Sequence, residues 1–243
     1  MYNIEATSAN ELFVAVAKAF KQVKTEISPR GLKTKELYQA YLTLQNPKKN
    51  LISLRSRNLS MEYLTKETAW YKSGSLQAKD IGHMWLKLAD SNGTINSNYG
   101  FLVLTEKWSG KSQFEWCYNI LKKDINSRQA VMIYNQPRHK YDGVKDFPCT
   151  LSQSFLMRNG SLDSIVHMRS NDLIYGLSYD IVWFTELQMR LAEKLKVPVG
   201  QYYHFANSLH VYERHFDMID KMAKEVVCGM CGEIPEDDCR CYD

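Results

Sequence analysis

The chain has 243 residues, 44% hydrophobic and 24% charged, enough to bury a sizeable core in one globular domain. Its 31 basic and 27 acidic residues leave a formal charge of +4, too small and too evenly spread for a nucleic-acid footprint, while small anionic ligands stay compatible. No apolar run approaches the ~20 residues of a membrane span, and the start lacks the regions of a signal peptide, so a cytoplasmic protein with no membrane partner is expected.

Ser8 followed by Glu11 reads as a capping box, and Leu12, Val14, Val16, Ala17 and Phe20 support an opening helix that should end near Ser28-Pro29. The stretch 34–46 fits two states, because Leu37, Tyr38, Tyr41 and Leu42 have helical spacing while its tyrosines suit a strand. Helices are expected over 60–72, 78–88 and 113–123. Val131 to Tyr134 then form a compact strand signal, and two extended runs flank the hairpin dipeptide Asn159-Gly160. A helix over 180–196 stops before Pro198 and Gly200, followed by a strand over 201–212 and a helix over 213–227. Long helices first and a strand-rich middle predict an α+β domain over 1–225.

A cysteine-rich tail, 226–243, holds four of the six cysteines. Cys228, Cys231, Cys239 and Cys241 could supply four thiolates to one zinc ion; a disordered or redox-labile tail is the alternative.

Taken alone, Cys149 after Phe147-Pro148 is a half-buried cysteine at the start of a strand, Arg169 a surface cation and Glu67 a solvated partner of Lys66 or Lys72. Their order changes that reading. Pro148-Cys149 is followed by Arg169-Ser170-Asn171-Asp172, Tyr175 to Asp180, and His210-Val211-Tyr212. Upstream stand Glu67 and Trp70, Tyr99-Gly100, and Asn126-Ser127-Arg128. This series resembles the thymidylate synthases, with Pro-Cys, Arg-Ser-x-Asp, Gly-Leu-Pro-Phe-Asn and His-x-Tyr in that order. The wording at 95–100, 168–172 and 209–216 is similar to that of the bacteriophage deoxycytidylate hydroxymethylases within that family.

The resemblance implies a thymidylate synthase-like fold, with a large mixed sheet packed with helices and one sheet face at a homodimer interface. It also implies a folate-dependent enzyme that moves a one-carbon unit from 5,10-methylenetetrahydrofolate to C5 of dCMP, working in the host cytoplasm if phage-encoded. Cys149 would be the nucleophile, since thiolate addition at C6 of a pyrimidine makes C5 able to attack an electrophile. A neighbouring cation such as Arg169 would favour the thiolate. Glu67 and Tyr99 would manage protons. Arg128, from the other subunit, Arg169, Ser170 and Arg30 would hold the phosphate; Pro29 stands where the family has its loop arginine, and either Arg30 or Lys33 is the substitute for it. Gln129 replaces a second family arginine. His210 and Tyr212 would hold the sugar hydroxyl, while Asp172, Trp85 and Gly176 would meet the folate.

Asp180 occupies the position of the family's asparagine. A carboxylate only accepts hydrogen bonds, which suits the N4 amino group and a protonated N3 of cytosine and opposes uracil O4. The plain alternative for Asp180 is a helix N-cap before Ile181. Rival functions are a dCMP methylase, a CMP or dUMP hydroxymethylase, a thymidylate synthase, and a scaffold that docks partners through the cysteine tail.

Overall fold

The computed structural model describes residues 1–229 and 231–234. Its centre is a mixed sheet of eight strands, β1 Tyr2–Ala6, β2 Glu26–Ile27, β3 Thr34–Leu44, β4 Val131–Ile133, β5 Thr150–Arg158, β6 Ser161–Met168, β7 Asn171–Asp172 and β8 Val199–Tyr212. The main path runs β1-β3-β8-β6-β5-β4, with β2 added to β3 and β7 to β8. The pairs β1–β3 and β6–β8 are parallel; β3–β8, β5–β6 and β4–β5 are antiparallel. Helices α1 Ala9–Gln22 and α6 Ser178–Leu195 pack on one face of this sheet. The opposite face is left to half-buried aromatics, including a stacked Tyr41–Tyr203 pair.

The ambiguous 34–46 stretch is β3, and its helical spacing has a structural cause. Gln39 adopts φ 55 and drops out of the β3–β8 register between Tyr38↔Ser208 and Ala40↔Ala206. This irregularity puts Leu37, Ala40 and Leu42 on the buried face and leaves Tyr38 and Tyr41 on the other. The irregularity therefore mimics a helical period, because the in-out alternation shifts by one at Gln39 while the pairing register on either side stays the same.

The capping box forms as expected, with Ser8 and Glu11 bonding reciprocally. The helix stops at Gln22 rather than near Pro29, because the chain turns extended at Val23 and forms the β2–β3 hairpin. Pro29 belongs to the turn Pro29–Gly31 of that hairpin. The 60–72 and 113–123 predictions correspond to α2 Met61–Ser73 and α5 Gln113–Lys123. The 78–88 prediction splits into α3 Ala78–Ile81 and α4 His83–Leu86 at Gly82, whose φ of 137 no helix tolerates. Asn159 and Gly160 both take positive φ, as a two-residue hairpin between β5 and β6 requires. The last helix, α7 Phe216–Met222, is shorter than 213–227.

Strand β1 and the π-helical turn Phe101–Thr105 have no counterpart in the sequence reading. Close backbone approach explains the second. A Cβ on Gly100 would lie 1.8 Å from the Tyr71 carbonyl oxygen, so α2 and the segment carrying Tyr99 can touch only through glycine.

The first residues of the tail pack on the domain. Ser8 Oγ and Asn10 Nδ2 both donate to the Gly232 carbonyl, at 3.0 and 3.1 Å, and Cys228 is buried. Cys239 and Cys241 lie outside the described residues, and among the described residues no group of three or more His, Cys, Asp or Glu could hold a metal.

Candidate active site

A cavity of about 610 Å³, large enough for a nucleotide-sized ligand, gathers residues from both ends of the chain. Twelve of the predicted site residues line it: Arg30, Glu67, Trp85, Tyr99, Cys149, Arg169, Ser170, Asp172, Gly176, Asp180, His210 and Tyr212. Arg128 is exposed and lies outside it; buried Cys228 and half-buried Cys231 are outside it too. Lys33 is committed elsewhere, to Glu26 and Glu213 at 2.9 and 3.0 Å, so of the two hairpin cations only Arg30 faces the cavity.

Cys149 ends the loop ahead of β5. Arg169, just past β6, grips that loop: its Nε donates to the Pro148 carbonyl (3.1 Å) and its Nη2 to that of Phe147 (2.6 Å), with Nη2 3.4 Å from Cys149 Sγ. Burial nevertheless pushes the thiol above its ordinary value, outweighing Arg169 and Arg30, and Asp180 and Asp146 push the same way. Arg169 does favour the thiolate, as expected of a neighbouring cation, but its charge reduces a desolvation penalty larger than itself.

Asp146, three residues before the cysteine, is 8% exposed and accepts from the backbone and hydroxyl of Ser97 (2.7 and 2.6 Å). It ties the nucleophile loop to the segment bearing Tyr99. Sequence reading passed over Asp146, whose only signal is an acidic residue inside an otherwise family-like stretch.

Glu67 is not a solvated partner of Lys72, which pairs with Glu186. It is 7% exposed on α2, where Tyr63 Oη donates to its Oε1 at 2.9 Å, and Tyr63 Oη in turn accepts from Trp85 Nε1 at 2.9 Å. Burial, then the charge of Asp180, raises its carboxyl to about 8, with the Tyr63 bond opposing. Tyr63 was also missed, though it stands one helical turn before Glu67.

The helix preceding Asp180 begins earlier than expected. Asp172 caps a π-helical turn, Leu173–Leu177, by accepting from the amides of Ile174 and Tyr175 (2.7 and 3.0 Å), and α6 continues from it. Asp180 thus lies inside the first turn of α6 and is not its N-cap. Its carboxylate points to the cavity, with Oδ2 accepting from Asn171 Nδ2 at 2.8 Å. Burial raises it to about 6, the Asn171 bond opposing. His210 stands opposite Asp172 in the β7–β8 register and packs edge-on against Tyr212. Burial lowers His210, with Asp172 opposing, so it is a neutral hydrogen-bonding group.

The sequence profile of the thymidylate synthase family matches residues 14–228. A deoxycytidylate 5-hydroxymethyltransferase of Enterobacteria phage T6 is 32% identical over 231 residues, covering 89% of this chain and 91% of that protein. A deoxyuridylate hydroxymethyltransferase of Bacillus phage SP01 is 28% identical, covering 87% of this chain and 59% of that protein. Among solved structures, the thermostable thymidylate synthase A of Bacillus subtilis superposes with a TM-score of 0.74 at 20% identity, over 89% of this chain and 84% of that one.

Proposed function

We propose, on the premise that this chain belongs to the thymidylate synthase family and is a one-carbon transferase of that family, that it is a deoxycytidylate 5-hydroxymethyltransferase. One observation carries the choice of base: the side chain at 180 is a carboxylate that lines the nucleophile's cavity and takes a hydrogen bond from Asn171. Its oxygens can accept from the N4 amino group of cytosine and from a protonated N3. Against uracil, O4 would face a second acceptor, a mismatch worth ~10⁴-fold in discrimination.

The residues support a covalent route. Cys149 Sγ adds to C6 of the pyrimidine, and C5 then bonds to the one-carbon unit. The C5 proton is removed, the bond from the one-carbon unit to its folate nitrogen breaks with tetrahydrofolate as leaving group, and water adds to the resulting exocyclic methylene as the Cys149–C6 bond breaks. Bound 5,10-methylenetetrahydrofolate supplies that unit at the oxidation level of formaldehyde, so no oxidant or reductant is consumed. The donor set fits such a ligand: Trp85, Leu88 and Tyr175 offer flat or apolar surface in the same cavity as the Asp172 carboxylate, which suits a pterin ring with N–H donors. Glu67, raised to about 8, holds its proton at neutral pH and can pass it to or from the exocyclic group. Arg30 and Arg169 stand at the cavity for the phosphate, and His210 and Tyr212 for the sugar hydroxyl. Exposed Arg128 would complete a neighbour's phosphate site in a homodimer joined through the aromatic sheet face of Tyr41, Tyr203 and Phe205.

Incubation with methylenetetrahydrofolate and each of dCMP, CMP and dUMP, with products identified by mass, tests this reading. The expected product is 5-hydroxymethyl-dCMP. Conversion of dUMP in preference to dCMP would move the assignment to the activity named for the phage SP01 relative.

A further inference from the structure

Behind Asp180 a line of buried polar groups runs into the sheet, none of them used by the chemistry above. Asn171 Nδ2 donates to Asp180 Oδ2 (2.8 Å), Asn171 Oδ1 lies 3.1 Å from His204 Nε2, and His204 Nδ1 lies 2.9 Å from Tyr202 Oη. Tyr202 and His204 are 0% and 1% exposed on β8, and Asn171 is 3% exposed on β7. Burial, with His167 adding, lowers His204 to about 3, so the ring is neutral, with one donor nitrogen and one acceptor.

A neutral imidazole lets such a chain point only two ways. In the first, Tyr202 O–H donates to His204 Nδ1, His204 Nε2–H donates to Asn171 Oδ1, and the Asn171 amide donates to Asp180. In the second every bond reverses, which demands a proton on Asp180 Oδ2 and leaves the Tyr202 hydroxyl hydrogen without the histidine as acceptor in a fully buried position. A buried donor left unmatched gives up its bond to water and gains none in return, so the first direction holds. We propose that Tyr202, His204 and Asn171 form a one-way relay that fixes Asp180 Oδ2 as an acceptor, confines any shared proton to the other oxygen, and so sets the choice of base from behind the carboxylate, with Tyr202 and His204 outside the cavity lining. The inference rests on Asp180 as the base-reading residue.

Gly176 supports it independently. A Cβ there would lie 2.6 Å from Asn171 Nδ2 and 3.2 Å from Asp180 Oδ2, on top of the relay's last bond. That bond exists only because position 176 has no side chain. The relay also explains how an asparagine at 180 would be oriented: its amide oxygen must meet Asn171, which turns its NH₂ towards the cavity as a donor for uracil O4.

Two measurements test the relay. The first follows Asp180 by NMR in carboxyl-¹³C-aspartate protein, with Asp180→Asn identifying the signal. Asp180 is faced by Glu67 and Tyr71 of α2, Asp172 of β7, Cys149, and the phenols of Tyr99 and Tyr134, and these groups are common to all variants. Asn171→Ala should raise the Asp180 midpoint by ~1–2 pH units, the worth of one hydrogen bond to a charged group. Tyr202→Phe, which removes one buried oxygen and keeps the ring, should raise it less. An unmoved midpoint in both variants overturns the relay even if the wild type still prefers cytosine. The second measurement compares Asp180→Asn with Asp180→Asn/Tyr202→Phe: freeing the amide to flip should cost ~10-fold in kcat/KM for dUMP. Equal dUMP activity in the two overturns the relay. A midpoint that moves in a wild type that does not discriminate dCMP from dUMP would instead sink the base assignment and leave the relay standing.

Discussion

The two buried carboxyls of the site are held in opposite ways. Asp180 is anchored from behind by strands at the centre of the sheet, through Asn171, His204 and Tyr202. Glu67 hangs from α2 and is held through Tyr63 by Trp85 on the short helix α4, beside partly exposed apolar residues at 84, 86 and 88. A group that discriminates between two bases differing in one hydrogen-bonding edge needs a fixed orientation, which a sheet supplies. A group that must give and take protons gains from a support that also lines the cavity, as Trp85 does. The same burial that makes both carboxyls hard to ionise sets them apart, at about 6 and about 8, because Glu67 also feels the charge of Asp180. Such separated values fit the two proposed roles, an ionised acceptor at 180 and a proton carrier at 67.

The largest expected effect removes the step both carboxyls serve. Cys149→Ser should lower turnover at least ~10⁴-fold while nucleotide binding survives, because a hydroxyl is a far weaker nucleophile at neutral pH. Single-turnover product formation against equilibrium binding of dCMP checks this, and a near-normal rate would remove the covalent route.

Next, Asp180→Asn should move the ratio of kcat/KM for dCMP to that for dUMP by ~1,000-fold or more towards uracil. Glu67→Gln should lower kcat ~100-fold and leave that ratio within a few-fold, since proton transfer is lost and base reading is kept. If both variants shifted the base ratio alike, the division of labour between the two carboxyls would collapse.

The pH dependence sharpens the comparison because the two groups should act on different parameters. A carboxylate facing protonated N3 means that the dCMP complex holds one proton more than the separated partners. Asp180 loses its own proton as pH rises through about 6, so the apparent Kd for dCMP should weaken above that point, by up to ~10-fold per pH unit. Glu67 keeps its proton until about 8, so kcat should fall only beyond that. Calorimetry in buffers of different ionisation enthalpy should show proton uptake on dCMP binding at pH 7, absent for dUMP in Asp180→Asn. The smallest effect is expected from Tyr63→Phe. Its hydroxyl lowers the Glu67 value, so its loss should carry the alkaline limb of kcat upwards and cost ~10-fold or less in rate.

Residue order alone singled out Cys149 and most of the residues that line its cavity. Cys149, Arg169, Asp180 and His210 were legible because the chemistry needs those residue types in a fixed order along a chain threading one sheet. The supporting residues were not. Tyr202 and His204 look like ordinary strand residues until the fold brings the Asn171 side chain within 3.1 Å of His204 Nε2. Helix ends were misread where a single backbone angle decided them, as at Gly82 and at Val23. The β3 irregularity at Gln39 mimicked a helix because local periodicity carries no record of the partner strand.

By itself, then, the amino-acid sequence determined which chemical groups are available and their order: a thiol, two carboxyls, two arginines at the cavity and a carboxylate where the family has an amide. Only the tertiary structure decided their protonation and orientation. Both depend on burial and on partners brought from distant segments, such as the sheet behind Asp180 and Tyr63 with Trp85 beside Glu67, and desolvation of a carboxyl exists only once the chain has closed around it.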